Sequence, residues 1–157
     1  MVLCKCVCCL ELTIGFLNVN GLHSNATSIK DTIMNNGLDV IGLSETLHRD
    51  SYDQCLSDVM PPHFNLVHTP RVSAHGGGMI LLYDCRKFNS CSLLNIPTVT
   101  FYNISVKLLH GTQLYNVISI YRKPGYTGLA FREEFNTVLK TMKKRKAKIL
   151  QRLSAVI

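Results

Sequence analysis

The eight residues Leu38-Asp39-Val40-Ile41-Gly42-Leu43-Ser44-Glu45 constrain the fold most. The run is mostly apolar, does not alternate and is too short for a helix, which describes a strand covered on both faces. Such a strand needs packed layers around it, and the preceding residues supply them. Leu10 to Val19 mixes β-branched and large apolar residues and ends in Asn18-Val19-Asn20-Gly21, a strand running into a turn. Between the two, Asn25 or Thr27 caps a short amphipathic helix with Ile29, Ile33 and Met34 on one face, and Gly37 stops it. Strand, helix and strand in that order predict a layered, mixed α/β fold.

Further along, Arg49 to Pro62 is polar, ends in Pro61-Pro62 and carries no predicted element. Phe64 to His68 reads as a short strand, and Gly76-Gly77-Gly78 introduces Met79 to Tyr83, a second buried-strand candidate. Thr98 to Leu109 and Gln113 to Tyr121 flank the turn-like His110-Gly111-Thr112, which predicts a hairpin with one face of its first strand more apolar. Arg122-Lys123-Pro124-Gly125 closes the second strand. From Leu129, the set Phe131, Phe135, Val138, Leu139 and Met142 steps at helical spacing. Ile149 to Ile157 gives no clear turn or cap, and no internal repeat, linker or second domain is visible.

Composition bounds the function classes. A chain of 157 residues suits one domain, and 46% hydrophobic with 17% charged residues lies in the globular range. The formal net charge of +7 favours an anionic partner such as nucleic acid. Much of that excess sits between Lys140 and Arg152, where cations at a helix C-terminus also oppose the macrodipole. The seven cysteines are odd in number and imply no disulfide framework. Cys4-x-Cys6-x-Cys8-Cys9 lacks the second cysteine pair of a zinc knuckle, so these residues read as small hydrophobic groups in or before a strand or in a frayed terminus. Free thiols fit a reducing compartment, nuclear or cytoplasmic. Glu11 divides the N-terminal apolar run, which excludes a membrane span and fits a signal peptide poorly, so neither membrane association nor secretion is expected.

In α/β sheets, functional groups gather beyond the strand ends, which points to Asn18 and Asn20, to Glu45 and to Tyr121. Taken singly these are ordinary surface residues; their sequence context adds more. Leu17-Asn18-Val19-Asn20-Gly21-Leu22 resembles the first motif of the endonuclease/exonuclease/phosphatase superfamily, and Leu38 to Thr46 resembles the P-D-I-L-x-L-x-E-T motif that holds its metal-binding Glu. Gly76-Gly77-Gly78-Met79 and Ile118-Ser119-Ile120-Tyr121-Arg122-Lys123-Pro124 resemble two further stretches, the last typical of non-LTR (LINE/jockey-like) retrotransposon endonucleases. The four matches stand in order and run from Thr13 to about Met142.

The resemblance implies a DNase I-like, four-layered α/β sandwich, here C-terminally truncated, with a divergent segment at 1–12, a partial domain at 13–150 and a divergent tail at 151–157. It implies that Glu45 binds Mg2+ or Mn2+, that Asn18 positions the metal, the carboxylate or the scissile phosphate, and that Tyr121 contacts the phosphate. Asn20 stands where some repair enzymes carry Asp; with Arg122, Lys143, Lys144, Arg145 and Lys146 it is assigned to nucleic-acid contact. No small-molecule cofactor is implied. The family's G-D-F-N stretch, expected after the long helix, is replaced by Ile149-Leu150-Gln151-Arg152-Leu153, although Lys146 to Leu150 still resembles its approach. No S-D-H motif follows, and His23, His48, His63, His68, His75 and His110 read as surface or loop histidines. The leading expectation is therefore a catalytically incomplete part of a DNA endonuclease domain. Two others stand beside it: a non-catalytic nucleic-acid-binding fragment, and a fragment whose sheet is completed by a partner chain.

Overall fold

The computed structural model describes residues 2–6, 12–71, 77–123, 125–143 and 148–151. The chain divides after Arg86 into two compact units, each built on its own sheet.

The first unit holds β1 (Val2–Cys6), β2 (Leu12–Asn18), α1 (Ala26–Asn35), β3 (Val40–Ser44), α2 (Gln54–Val59), β4 (Phe64–Thr69) and β5 (Met79–Asp84). Its sheet runs β1-β2-β3-β5-β4, with β2 and β3 parallel and every other pairing antiparallel. The parallel pair is the strand-helix-strand unit predicted above, because a parallel return needs a crossover and α1 provides it. All five residues of β3 and all six of β5 are buried, as expected of mostly apolar runs, with Ser44 and Asp84 as their polar ends.

Asn25 is the N-cap of α1, although its side chain does not cap; its amide donates back to the carbonyls of Val19 and Gly21. Gly37, at φ +56°, follows the helix in the left-handed conformation that Gly adopts without a Cβ penalty. Ile29 and Ile33 are buried, whereas Met34 is half exposed, contrary to its expected place on the same face. A five-residue step carries it about 140° round the helix from Ile29. Arg49 to Pro62 contains α2, which no periodicity announced because six residues make less than two turns. Asp53 caps it, accepting the Cys55 N–H at 3.3 Å, and Cys55, Leu56 and Val59 join the core formed with Leu22, Ile33, Ile41, Leu43 and Leu82.

The second unit holds β6 (Ser90–Leu93), β7 (Phe101–His110), β8 (Gln113–Arg122), α3 (Gly128–Lys143) and β9 (Lys148–Gln151). Its sheet order is β6-β7-β8-β9. The predicted hairpin is β7 and β8, paired over ten positions with Gly111 in the turn at φ +57°. In β7, Phe101 and Ser105 are buried as well as Ile104, Val106 and Leu108, so much of both faces is covered rather than one. After β8, α3 crosses over and β9 returns parallel to β8, placing a strand where Ile149 to Ile157 showed no pattern. Val138 and Met142 of α3 are buried on Phe101, Ile118 and Ile120, with Phe131 and Phe135 packed against the same cluster. Glu134 ties the helix to the start of β7 by accepting the backbone N–H groups of Val99 at 2.7 Å and Thr100 at 2.8 Å and the Thr100 hydroxyl.

Candidate functional site

Because β2 and β3 are parallel, their C-terminal ends emerge at one sheet edge, with Asn18 and Ser44 as the last paired residues. The two chains stay joined beyond the strands: the N–H groups of Val19, Gly21 and Leu22 donate to the carbonyls of Ser44, Glu45 and Thr46 at 3.0, 2.7 and 3.0 Å. Asn18 Oδ1 accepts the Asn20 N–H at 3.1 Å, a local turn that Asn forms readily. Asn20 follows at φ +44°. Asn18, Asn20 and Glu45 therefore share one edge of the sheet.

Glu45 itself sits at φ +54°, and Leu47 at φ +57°. For residues with a Cβ this left-handed region costs about 1–2 kcal/mol each, so the surroundings must hold it. They do so from two sides. Gly21 grips the Glu45 carbonyl, while the N–H groups of Thr46 and Leu47 donate to Gly78 and Gly77 at 3.2 and 3.0 Å. Gly78 must be Gly here, because its φ is +83° and a Cβ would lie 2.6 Å from Thr46 Oγ1. Gly77 and Gly78 of the third motif are thus the brace behind Glu45; Gly76 lies outside the described residues.

Beneath that brace lies a buried polar chain that sequence reasoning missed. Thr46 Oγ1 is 2.7 Å from His48 Nδ1, and His48 Nε2 is 3.0 Å from His68 Nδ1. His48 lies in the loop after β3, one of the two places expected for it, but it is fully buried rather than on the surface. Burial first, and then the facing His68, lower its pKa from 6.5 to about 4, against weaker opposition from Asp53 and Asp50. A neutral imidazole has one donor and one acceptor nitrogen, and both are used here. No local signal marks this, since His68 and Gly78 reach His48 only through the fold.

Tyr121 and Arg122 end β8 in the other unit. Tyr121 is largely buried, its ring stacked on Tyr102 with centroids 6.3 Å apart and planes 11° from parallel. Lys123 Nζ lies 4.4 Å above the Tyr102 ring, a cation-π contact, and Arg122 is exposed. Lys143 is exposed in the last turn of α3; Lys144, Arg145 and Lys146 lie outside the described residues.

The β2/β3 edge suits a hard cation in its donor set. Glu45 offers a carboxylate, Asn18 an amide oxygen, and Ser44 Oγ beside Glu45 is buried without a hydrogen-bond partner among the described residues. Mg2+ asks for one or two carboxylates, other oxygens and retained waters, which these residues fit.

No protein-family model and no curated sequence matches the chain. Solved structures do. An endonuclease/exonuclease/phosphatase family protein from Leptotrichia buccalis superposes with a TM-score of 0.58 at 13% identity, over 83% of this chain and 62% of that one. D. rerio TDP2 complexed with single-strand DNA product gives 0.60 at 15% identity, over 88% and 57%. The endonuclease domain of TRAS1, a telomere-specific non-LTR retrotransposon, gives 0.54 at 9% identity, over 81% and 53%. The chain therefore spans less than two thirds of the length of each of these structures. Two mixed sheets with helices, aligned over most of the chain with such structures, give it the DNase I-like α/β fold.

Proposed function

We propose that the chain carries part of a divalent-metal-dependent phosphodiester-cleaving site of the retrotransposon DNA endonuclease type, and that these 157 residues do not turn over alone. The observation that carries this reading is the left-handed, doubly braced backbone at Glu45, at the C-terminal edge of a parallel strand pair. Backbone strain held in place by neighbouring structure concentrates at sites that bind or react, and that edge is where α/β sheets place ligands.

In this reading Glu45 and Asn18 hold Mg2+ or Mn2+. A cation held by these residues would neutralise charge on the phosphoryl oxygens. Asn18, already turned toward the Asn20 N–H, orients the phosphate or the carboxylate. In the second unit, taken by itself, Tyr121 carries the hydroxyl that the family resemblance assigns to phosphate contact, and its ring is stacked on Tyr102. Exposed Arg122 and Lys143, with Lys144, Arg145, Lys146 and Asn20, contact the nucleic-acid backbone. Deprotonating the attacking water needs a positioned base, and the chain has neither a G-D-F-N nor an S-D-H stretch to supply one. DNA as the substrate is supported by the neighbouring structures, one holding a DNA product and one a retrotransposon endonuclease.

The test is plasmid nicking with Mg2+, beside Mn2+ binding followed by electron paramagnetic resonance. Wild type is expected to bind Mn2+ and Glu45→Ala is not, while neither nicks above a chelator control. Glu45-dependent nicking would overturn the incompleteness and show that another group activates the water. Mn2+ binding indifferent to Glu45 would remove the metal site.

A further inference from the structure

A second set of ligand atoms lies in the first unit, on residues the phosphodiesterase reading does not use. His23 follows the β2 turn, and its neighbour Leu22 is fully buried and donates its N–H to the Thr46 carbonyl. Asp53 is the N-cap of α2, and Cys55 stands in the first turn of that helix with its side chain in the core. The fold brings these two segments together so that a ring nitrogen, a carboxylate oxygen and a sulfur all lie within 4.8 Å of one another. His23 Nε2 is 3.3 Å from Asp53 Oδ1.

We infer that His23, Asp53 and Cys55 form a site for a borderline-soft divalent cation of the zinc type, with a fourth position left to water. The donor set is the first argument. Nitrogen, carboxylate and thiolate together suit zinc or cobalt, whereas Mg2+ and Ca2+ ask for oxygen alone. The second is anchorage. Cys55 and Asp53 are fixed by a helix whose inner face is in the core, and only the exposed imidazole of His23 has to move. Tetrahedral ligands on metal bonds of about 2.0–2.3 Å stand about 3.3–3.5 Å apart, a separation His23 Nε2 and Asp53 Oδ1 already have at 3.3 Å, and His23, exposed and on a loop, can adjust to the sulfur. Its exposed side also leaves the fourth position open to solvent.

The third argument is the way the three groups satisfy one another. The Cys55 side chain, buried in the core, lies against the Asp53 carboxylate. Asp53 in turn accepts the backbone N–H groups of Arg49 and Cys55, both at a long 3.3 Å. One proton on sulfur thus occupies the place a cation would take. Binding releases it to solvent, sulfur becomes a thiolate ligand, and Asp53 exchanges a thiol proton for the metal. Nothing in this requires Glu45 or DNA, so its fate is independent of the phosphodiesterase reading.

The test is titration of the reduced full chain with Co2+, read by thiolate-to-cobalt absorption, together with melting in the presence and absence of Zn2+. Wild type is expected to show the band and a higher Tm with zinc. Cys55→Ser should lose the band contributed by this site. His23→Ala, at an exposed position that leaves the fold intact, should weaken that component at least about 100-fold, beyond what loss of a ligand's outer hydrogen-bond partner costs, and should abolish the zinc-dependent rise in Tm. Absorption from the other cysteines does not depend on His23. Cobalt absorption and zinc-dependent melting unchanged by His23→Ala, or absent from wild type, would overturn the site.

Discussion

Glu45 combines two roles that pull against each other: its carboxylate is the proposed metal ligand, and its backbone stands at φ +54°. Replacing it by Gly or by Ala removes the same carboxylate, but only Gly is free of the left-handed penalty. Glu45→Gly is therefore expected to be more stable than Glu45→Ala by about 1 kcal/mol, measured as the shift in urea midpoint, and equal stabilities would mean the strain is relieved in solution. His48 makes a second residue-scale test. Its folded pKa, about 4, lies below the ordinary 6.5, so the unfolded chain takes up the proton more readily. The contribution of neutral His48 is complete above pH 6.5 and is lost as pH falls from there toward 4. Urea midpoints across that window should drop for wild type and drop less for His48→Gln. Glu45 was legible in the sequence because a short apolar run ended on it. His48 was not, because a lone His after a polar stretch looks the same whether or not Gly78 and His68 close over it.

At the scale of elements, legibility followed the length of the repeating pattern. Helix α3 has four turns, enough for Phe131, Phe135, Val138 and Met142 to declare a face, and the β7/β8 hairpin carried its own turn. Helix α2 and strand β6 were invisible for opposite reasons. The first buries Cys55, Leu56 and Val59 from a polar stretch, and the second is a largely exposed Ser-Cys-Ser-Leu strand paired on one side. What fastens α3 was equally hidden, since Glu134 looks like a solvated helix residue until Val99 and Thr100 fold against it. Three donors converge on that carboxylate, despite the cost of its partial burial. Glu134→Ala is expected to cost about 2 kcal/mol, leaving two backbone N–H groups to find water, and Glu134→Gln about half of that. Chemical denaturation of the two variants checks it, and a Glu134→Ala change within ±0.5 kcal/mol, the usual range for surface substitutions, would mean the clamp is not formed.

For the whole molecule, the layered α/β class was readable from strand, helix and strand, and solved structures of the DNase I-like fold agree with it over most of the chain. The division after Arg86 was not, because Cys85 to Asn89 contains no linker composition to mark it. The net charge of +7 belongs to this scale as well. It predicts weak, sequence-independent attraction to DNA that falls steeply with salt. Arg122→Gln should lower the slope of log K against log salt by about 0.9 if that side chain meets a phosphate, and leave it unchanged if it does not. Fluorescence anisotropy with a short duplex, repeated at several salt concentrations, separates the two.

The loop hydrogen bond from Gly21 to Glu45 has one more consequence, in chemical ageing. Asn20-Gly21 is a pair whose backbone nitrogen can attack the preceding carboxamide, release ammonia and, after water opens the ring, leave aspartate or isoaspartate. In the folded loop that nitrogen donates its proton to the Glu45 carbonyl at 2.7 Å, so the reaction waits for the loop to let go. Asn20 should deamidate more slowly in the folded protein than in the urea-unfolded chain, as peptide mapping after prolonged incubation would show. The accumulated product then records how often the loop leaves Glu45, a dosimeter for openings too brief to see directly.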